Sequence, residues 1–122
     1  MKIYIPYNFD NWNEYIRKER TNKFIGAKIK AEEKNIVGWY VKGLEYKGNY
    51  PVKLVITKYF KDKKQDLDNV RIKGVLDGLV ASKVIKNDNL NCITEITLKA
   101  KFSKEKEGLE IEVLENEVNI TK

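Results

Sequence analysis

Three aspartates in the second half of the chain have the residue type and spacing best suited to chemistry. Asp66 and Asp68 stand two positions apart, directly after a predicted strand, and Asp88 follows the next predicted helix. In an extended segment, side chains two positions apart point to the same side, so both carboxylates could face one ion. Leu67 between them is expected to point into the core. Carboxylate oxygens suit Mg²⁺ or Mn²⁺, so the pattern predicts a hard-metal site.

The helix predicted between these aspartates adds a cation. Asn69, Lys73 and Asp77 are spaced by four, so they are expected to share one helix face. Lys73 would lie near the metal end, where an ammonium group can stabilise charge on a phosphate. Asp77 is expected to support Lys73 by pairing with it.

Simpler interpretations of the same residues stay open at this point. Asp-x-Asp-Asn between a strand and a helix could be only a turn and an N-cap, and residues 87–89 could be only a turn. A calcium loop of EF-hand type is excluded, because Val70 and Arg71 occupy positions that require an oxygen ligand and Gly. Arg71 and Lys86 are expected to be solvated rather than catalytic.

Charge is distributed unevenly along the 122 residues. Lys and Arg number 24 against 18 Asp and Glu, and this net charge of +6 favours nucleic acid as a partner. A Lys-rich surface can also serve solubility alone. Residues 1–65 hold 15 Lys and Arg against 7 Asp and Glu, whereas residues 66–122 hold 9 against 11. The first half is therefore suited to phosphates and the second to a metal ion.

The absence of histidine excludes several classes of catalysis. Without His, the chain cannot use Ser-His-Asp or Cys-His catalysis, a His base or a His-based zinc site. Cys92 stands alone, so it cannot form a disulfide within the chain, and a buried thiol is expected. No apolar run could span a membrane, and no signal-peptide core opens the chain. We expect a cytoplasmic protein with no membrane partner and no organic cofactor.

The hydrophobic pattern predicts one α+β domain over residues 1–122, with a mixed β-sheet of about four strands and two main helices. The expected order is strand, helix, strand, helix, strand, strand, with residues 17–23 as an exposed loop. The strands are predicted at 2–5, 52–60, about 92–102 and 109–114. The helices are predicted from about 24 to 40, and from an N-cap at Asp68 or Asn69 to about 82.

Apolar spacing also predicts which face of each helix is buried. The face of the first helix is expected to contain Ile25, Ile29, Ile36 and Tyr40. The face of the second helix is expected to contain Ile72, Leu76, Leu79 and Val80.

The segment from Asp66 to Asp88 resembles the RusA family of Holliday junction resolvases, found in bacteria and their phages. The core pattern of that family is Asp-x-Asp-Asn, a Lys, a hydrophobic-Asp-small-Leu group, and a hydrophobic segment ending in acids. Here it reads Asp66-Leu67-Asp68-Asn69, Lys73, Leu76-Asp77-Gly78-Leu79 and Val84-Ile85-Lys86-Asn87-Asp88. The resemblance implies that Asp66, Asp68 and Asp88 bind the metal and that Lys73 assists catalysis. Asp77 matches the helix Asp of the family.

A weaker match lies near the N-terminus. Asn13-Glu14-Tyr15-Ile16-Arg17 resembles a family element to which we assign DNA contact. The basic residues nearby and those after the second strand are candidates for backbone contacts, although any single one could be only a solvated charge. The full set of candidate DNA-binding residues is Asn13, Tyr15, Arg17, Lys18, Arg20, Lys61, Lys63, Lys64 and Asn69.

Three positions depart from the family pattern. Lys73 stands one residue further from Asp68 than in familiar members, so another alignment places Ile72 there. Asn87 stands where many members have the first Asp of a pair. Residues 82–83 replace the usual Gly before the hydrophobic pair. None of these changes affects the three principal acids.

The resemblance and the residues together predict a Mg²⁺-dependent endonuclease that resolves four-way DNA junctions in recombination and repair. Hydrolysis by a metal-activated water is the expected reaction. A junction has near two-fold symmetry, which suits a homodimer with two sites. Two alternatives stay open: a non-catalytic DNA-binding protein that retained the fold, and a small metal-binding or structural protein with no nucleic-acid role.

Overall fold

The protein is built on a mixed four-stranded sheet in the order β1-β4-β2-β3. The structure is a computed structural model that describes residues 1–117. β2 and β3 are parallel, and the other neighbouring strands are antiparallel. The α+β class predicted from the sequence is confirmed. The strands are β1 (Lys2–Ile5), β2 (Val52–Phe60), β3 (Ile93–Phe102) and β4 (Gly108–Glu115).

Three helices accompany the sheet: α1 (Trp12–Thr21), α2 (Ile25–Tyr40) and α3 (Lys73–Ala81), with a short 3₁₀ helix at Leu67–Asn69. Alternate strand residues are buried in one core together with residues of α2 and α3. This period of two places Leu54 and Ile56 on the helix-covered face and Lys53 and Thr57 on the open face. Within the described residues, no helix has the length and apolarity that crossing a membrane requires.

Helix α1 corrects the prediction of an exposed loop at residues 17–23. The helix begins after Asn11, whose side-chain oxygen accepts a hydrogen bond from the Glu14 backbone N–H at 2.9 Å. The Glu14 carboxylate accepts one in return from the Asn11 backbone N–H at 3.4 Å. This capping box satisfies two donors that a helix start leaves unpaired. The polar run is therefore the exposed face of a helix, anchored by buried Tyr15.

The buried face of α2 also differs from the prediction. Gly26, Glu33 and Val37 are its buried residues. The three predicted isoleucines are only partly buried, and Tyr40 is 39 % exposed. The buried face contains a glycine and a glutamate, which an analysis of apolar spacing does not select.

Helix α3 begins later than predicted, at Lys73, because the chain first makes the 3₁₀ turn and then extends through Val70. Its buried residues are Gly74, Val75, Gly78 and Leu79, whereas the predicted Ile72, Leu76 and Val80 are partly buried. The two glycines allow α2 to approach closely. A Cβ at Gly78 would lie 2.5 Å from the Val37 Cβ, so a larger residue there would force the helices apart.

Arg71 and Glu33 form a buried ion pair, which corrects the expectation that Arg71 is solvated. They are 4 % and 5 % exposed. The guanidinium donates two hydrogen bonds to the carboxylate, at 2.8 and 2.9 Å, and a third to the Asp10 carbonyl at 3.1 Å. Its central carbon lies 4.1 Å from the centre of the Tyr15 ring and 5.4 Å from that of Trp12. One side chain therefore joins α1, α2 and the segment that leads into α3.

We predict that Glu33→Gln lowers the free energy of unfolding by about 3 kcal/mol, because it leaves the charge of Arg71 buried without a counter-charge. Urea denaturation followed by circular dichroism measures the change. Glu32→Gln is the matched control, since Glu32 is the exposed neighbour and its replacement should shift stability by no more than about 0.5 kcal/mol. Equal effects at the two positions would contradict the assignment.

Candidate active site

Asp66 and Asp68 lie on the loop that joins β2 to α3. Asp66 has an extended backbone, but Asp68 lies inside the 3₁₀ turn, closed by hydrogen bonds from the Asn69 N–H to the Asp66 carbonyl and from the Val70 N–H to the Leu67 carbonyl. The expectation of one extended segment is therefore wrong, because the local turn replaces the strand conformation. Leu67 is half-buried and lies outside the main core cluster, which also corrects its predicted role. Both carboxylates are exposed.

Asn69 fixes this loop against α1. Its side-chain oxygen accepts a hydrogen bond from the backbone N–H of Asn13 at 3.2 Å. The spacing had predicted that Asn69 shares a helix face with Lys73 and Asp77. This prediction is wrong, because α3 begins four residues after Asn69. Arg71, two residues further on, hydrogen-bonds to the Asp10 carbonyl just before α1 and lies against the Tyr15 ring, so the chain around the acidic loop contacts the α1 region at two points.

Lys73 contacts two carboxylates at the start of α3. Its ammonium nitrogen lies 3.0 Å from an oxygen of Asp77 and 3.6 Å from an oxygen of Asp88. The hydrogen bond to Asp77 raises the pKa of Lys73, and the negative charges of Asp77 and Asp88 raise it further. Lys73 therefore pairs with Asp77, as their spacing of four indicated, and it also lies beside Asp88.

The three aspartates of the predicted metal site are not gathered around one point. Across residues 1–117, no three His, Cys, Asp or Glu side chains are grouped closely enough to hold an ion together. The structure brings Asp88 to Lys73 and Asp77, whereas neither Asp66 nor Asp68 forms an ion pair with a described residue. The donors are nonetheless hard oxygens of the kind that Mg²⁺ takes. The three-aspartate site stays a prediction.

A cleft of about 240 Å³ opens beside Asp66, between the segment before α1 and the end of β2. Lys58 lines it and donates a hydrogen bond of 2.6 Å to the side-chain oxygen of Asn8. Burial lowers the pKa of Lys58, although the charges of Glu107 and Glu14 partly oppose this. Sequence analysis missed Lys58, because a lysine inside an apolar strand carries no signal of a cleft.

Some of the predicted DNA-contact residues of α1 are exposed, and others contact residues of the protein itself. Asn13, Arg17 and Arg20 are exposed and line one shallow depression. Lys18 is bound to Asp10 at 2.7 Å, and this hydrogen bond raises the pKa of the lysine. Tyr15 is buried against Arg71, which corrects its expected contact with DNA.

The lysines that precede the acidic loop are also at the surface. Lys61, Lys63 and Lys64 are exposed, and Lys61 lies 3.9 Å from an oxygen of Glu107. They precede Asp66 on the same loop between β2 and α3.

Comparison with protein families extends the motif match to nearly the whole chain. The model of the family described as endodeoxyribonuclease RusA matches residues 1–114. A comparison with curated proteins found no match. The family match includes every helix and all but the last residue of β4. The chain therefore belongs to the RusA endodeoxyribonuclease family.

Proposed function

We propose that this protein is a Mg²⁺-dependent endonuclease that cuts four-way DNA junctions during recombination and repair in the cytoplasm. The observation that carries the proposal is the match to an endodeoxyribonuclease family over residues 1–114. Asp66, Asp68 and Asp88 of the motif are all present, and the first two are exposed on one anchored loop. These features favour catalysis over DNA binding alone, because binding the DNA backbone requires cations rather than carboxylates.

The three aspartates are the residues that would hold the ion, with Mn²⁺ as an alternative to Mg²⁺. When bound, the ion lowers the pKa of water and neutralises charge on the scissile phosphate. Negative charge on Asp66 and Asp68 is available for this, since neither forms an ion pair among residues 1–117.

Lys73 has a separate role at the phosphate. An ammonium group beside the reacting phosphodiester stabilises the negative charge that develops during hydrolysis. Asp77 holds this ammonium at 3.0 Å, which limits the positions it can take. Asp88 lies 3.6 Å from the same ammonium group, so Lys73 stands beside one of the three proposed metal ligands.

DNA binding is assigned to two basic surfaces. The first is the exposed part of α1, with Asn13, Arg17 and Arg20. The second is the exposed run of lysines from Lys61 to Lys64. Contacts of this kind bind phosphates and orient the DNA without reading its sequence. Asn69 connects the first surface to the acidic loop through its hydrogen bond to Asn13.

A homodimer suits this substrate. A four-way junction has near two-fold symmetry, and two copies related by a two-fold axis would present two acidic loops to two strands. Paired incisions then follow from the symmetry of the assembly rather than from two sites in one chain.

We predict that Asp68→Asn abolishes cleavage of a synthetic four-way junction in Mg²⁺ while leaving junction affinity unchanged within about threefold, because it removes a metal ligand but no phosphate contact. Cleavage is measured on denaturing gels, and affinity by fluorescence anisotropy. Asp62→Asn is the matched control, since Asp62 is an exposed aspartate of the same loop. Full cleavage by Asp68→Asn would remove this residue from the site.

We predict that Arg17→Ala combined with Arg20→Ala reduces the slope of log affinity against log salt by about two, because each phosphate contact contributes about one counterion. Salt titration of junction binding measures the slope. Lys2→Ala with Lys53→Ala is the control, because both lysines lie on the open face of the sheet, away from α1. An unchanged slope in the arginine variant would show that α1 does not bind the backbone.

A further inference from the structure

The strand β2 ends in two residues that line the cleft beside Asp66. Alternate residues of this strand face the helices: Leu54 and Ile56 are fully buried in the core, and Lys58 and Phe60 come next in the same row. Both are partly buried, and neither belongs to the core cluster. A lysine seldom stands in a core-facing row, because burial of its charge is unfavourable. This end of β2 is therefore better suited to contact with a ligand than to packing inside the protein.

The wall of the cleft includes aromatic rings and side-chain amides. Phe9 and Phe60 supply apolar ring surface, and Asn11, Gln65 and Asn69 supply amides. The side-chain oxygens of Asn11 and Asn69 accept hydrogen bonds from the backbone, so their NH₂ groups are the parts that can donate to a ligand. Rings that stack and polar groups that hydrogen-bond are the means by which proteins bind unstacked bases.

The charged groups of the cleft disfavour an anion as the ligand. Among residues 1–117, three cations and four carboxylates line it: Lys58, Lys61, Arg71, Glu14, Asp62, Asp66 and Glu107. A phosphate inside the cleft would meet more negative than positive charge, which is unfavourable. An uncharged group with both donors and acceptors would find partners of both kinds.

Arg71 supplies a buried donor to the cleft. Its guanidinium lines the cleft and donates through Nη1 and Nη2 to the Glu33 carboxylate and the Asp10 carbonyl. Its Nε–H is buried and has no hydrogen-bond partner within residues 1–117. An unpaired buried donor is unfavourable, so an acceptor atom of a ligand would be stabilised there. Lys58 donates to Asn8, and its ammonium group has further N–H donors for the same ligand.

We propose that this cleft binds a single unstacked nucleobase of the DNA substrate. The proposal rests on the proposed function, because it takes DNA as the substrate. A base is planar and uncharged, and its edges carry acceptors and donors that match the walls of the cleft. Drug-sized ligands occupy pockets of about 300–1,000 Å³. The cleft, at about 240 Å³, therefore suits one base rather than a base pair.

The position of the cleft gives the bound base a role in cleavage. Asp66 belongs both to its wall and to the proposed metal site, so the base is held beside a proposed metal ligand. Binding of this kind positions a strand for reaction. Unstacking a base costs least where its pairing is already disturbed, which favours nucleotides at the branch point of a junction.

The experiment measures junction affinity by fluorescence anisotropy in EDTA, with four-way junctions that each lack one base near the branch point. We expect one abasic position to weaken wild-type binding by about tenfold, and the others by no more than about threefold. Combining Lys58→Met with Phe60→Leu removes the ammonium and the ring from the cleft. In this variant the same abasic position should cost no more than about threefold, because the missing base no longer loses these contacts.

Lys99→Met combined with Phe102→Leu is the matched control. Both residues are exposed on β3, Phe102 stands opposite Phe60, and neither lines the cleft. The control should keep the full tenfold effect of the abasic position, and far-UV circular dichroism verifies that each variant is folded.

Equal abasic effects in the wild type and in the cleft variant would overturn the proposal, since a phosphate contact of Lys58 weakens every junction alike. The absence of any sensitive position would overturn it as well. The assay needs no cleavage, so these outcomes are distinct from a failure of the proposed nuclease activity, which is the absence of incision in Mg²⁺.

Discussion

The buried pair of Arg71 and Glu33 is the interaction on which the organisation of the site depends. Removing two charges from water is costly, and such a pair contributes little net stability compared with apolar residues of the same size. Its effect here is geometric. The Glu33 carboxylate, the Asp10 carbonyl and the Tyr15 ring hold the guanidinium of Arg71. These contacts fix the position of the chain that follows the acidic loop. The helix with the exposed arginines and the loop with Asp66 and Asp68 are thereby held together.

The charged residues of this region differ in burial and in pairing. The buried cation is neutralised by a buried acid, whereas Asp66 and Asp68 remain exposed and form no ion pair among the described residues. Lys73 lies between two acids at the start of α3, and the exposed lysines precede the loop. Among the three aspartates of the motif, Asp88 therefore shares a cation with Asp77, whereas Asp66 and Asp68 keep their carboxylates available for a metal ion.

The strands could be predicted from the sequence, whereas the buried ion pair of Glu33 and Arg71 could not. Alternating apolar residues determine a strand with one covered face, so β2 was predicted at its observed bounds. The start of α3 was misplaced because Asp68 and Asn69, good capping residues, form a 3₁₀ turn instead. Helix α1 carried a readable signal in Asn11 and Glu14, the capping box. Glu33 and Arg71 carried none, because charged residues are normally exposed and only the tertiary structure brings these two together.

We expect the carboxylates of the family motif to make this protein a metal-dependent nuclease for branched DNA. The most direct measurement is strand-resolved cleavage by the wild-type protein of a four-way junction and of a linear duplex with the same sequence, in Mg²⁺ and in EDTA. We predict symmetrically paired incisions in the junction, dependent on the metal, and an intact duplex. Binding of the junction without incision in either Mg²⁺ or Mn²⁺ would contradict it and would leave a DNA-binding protein that retains only the fold.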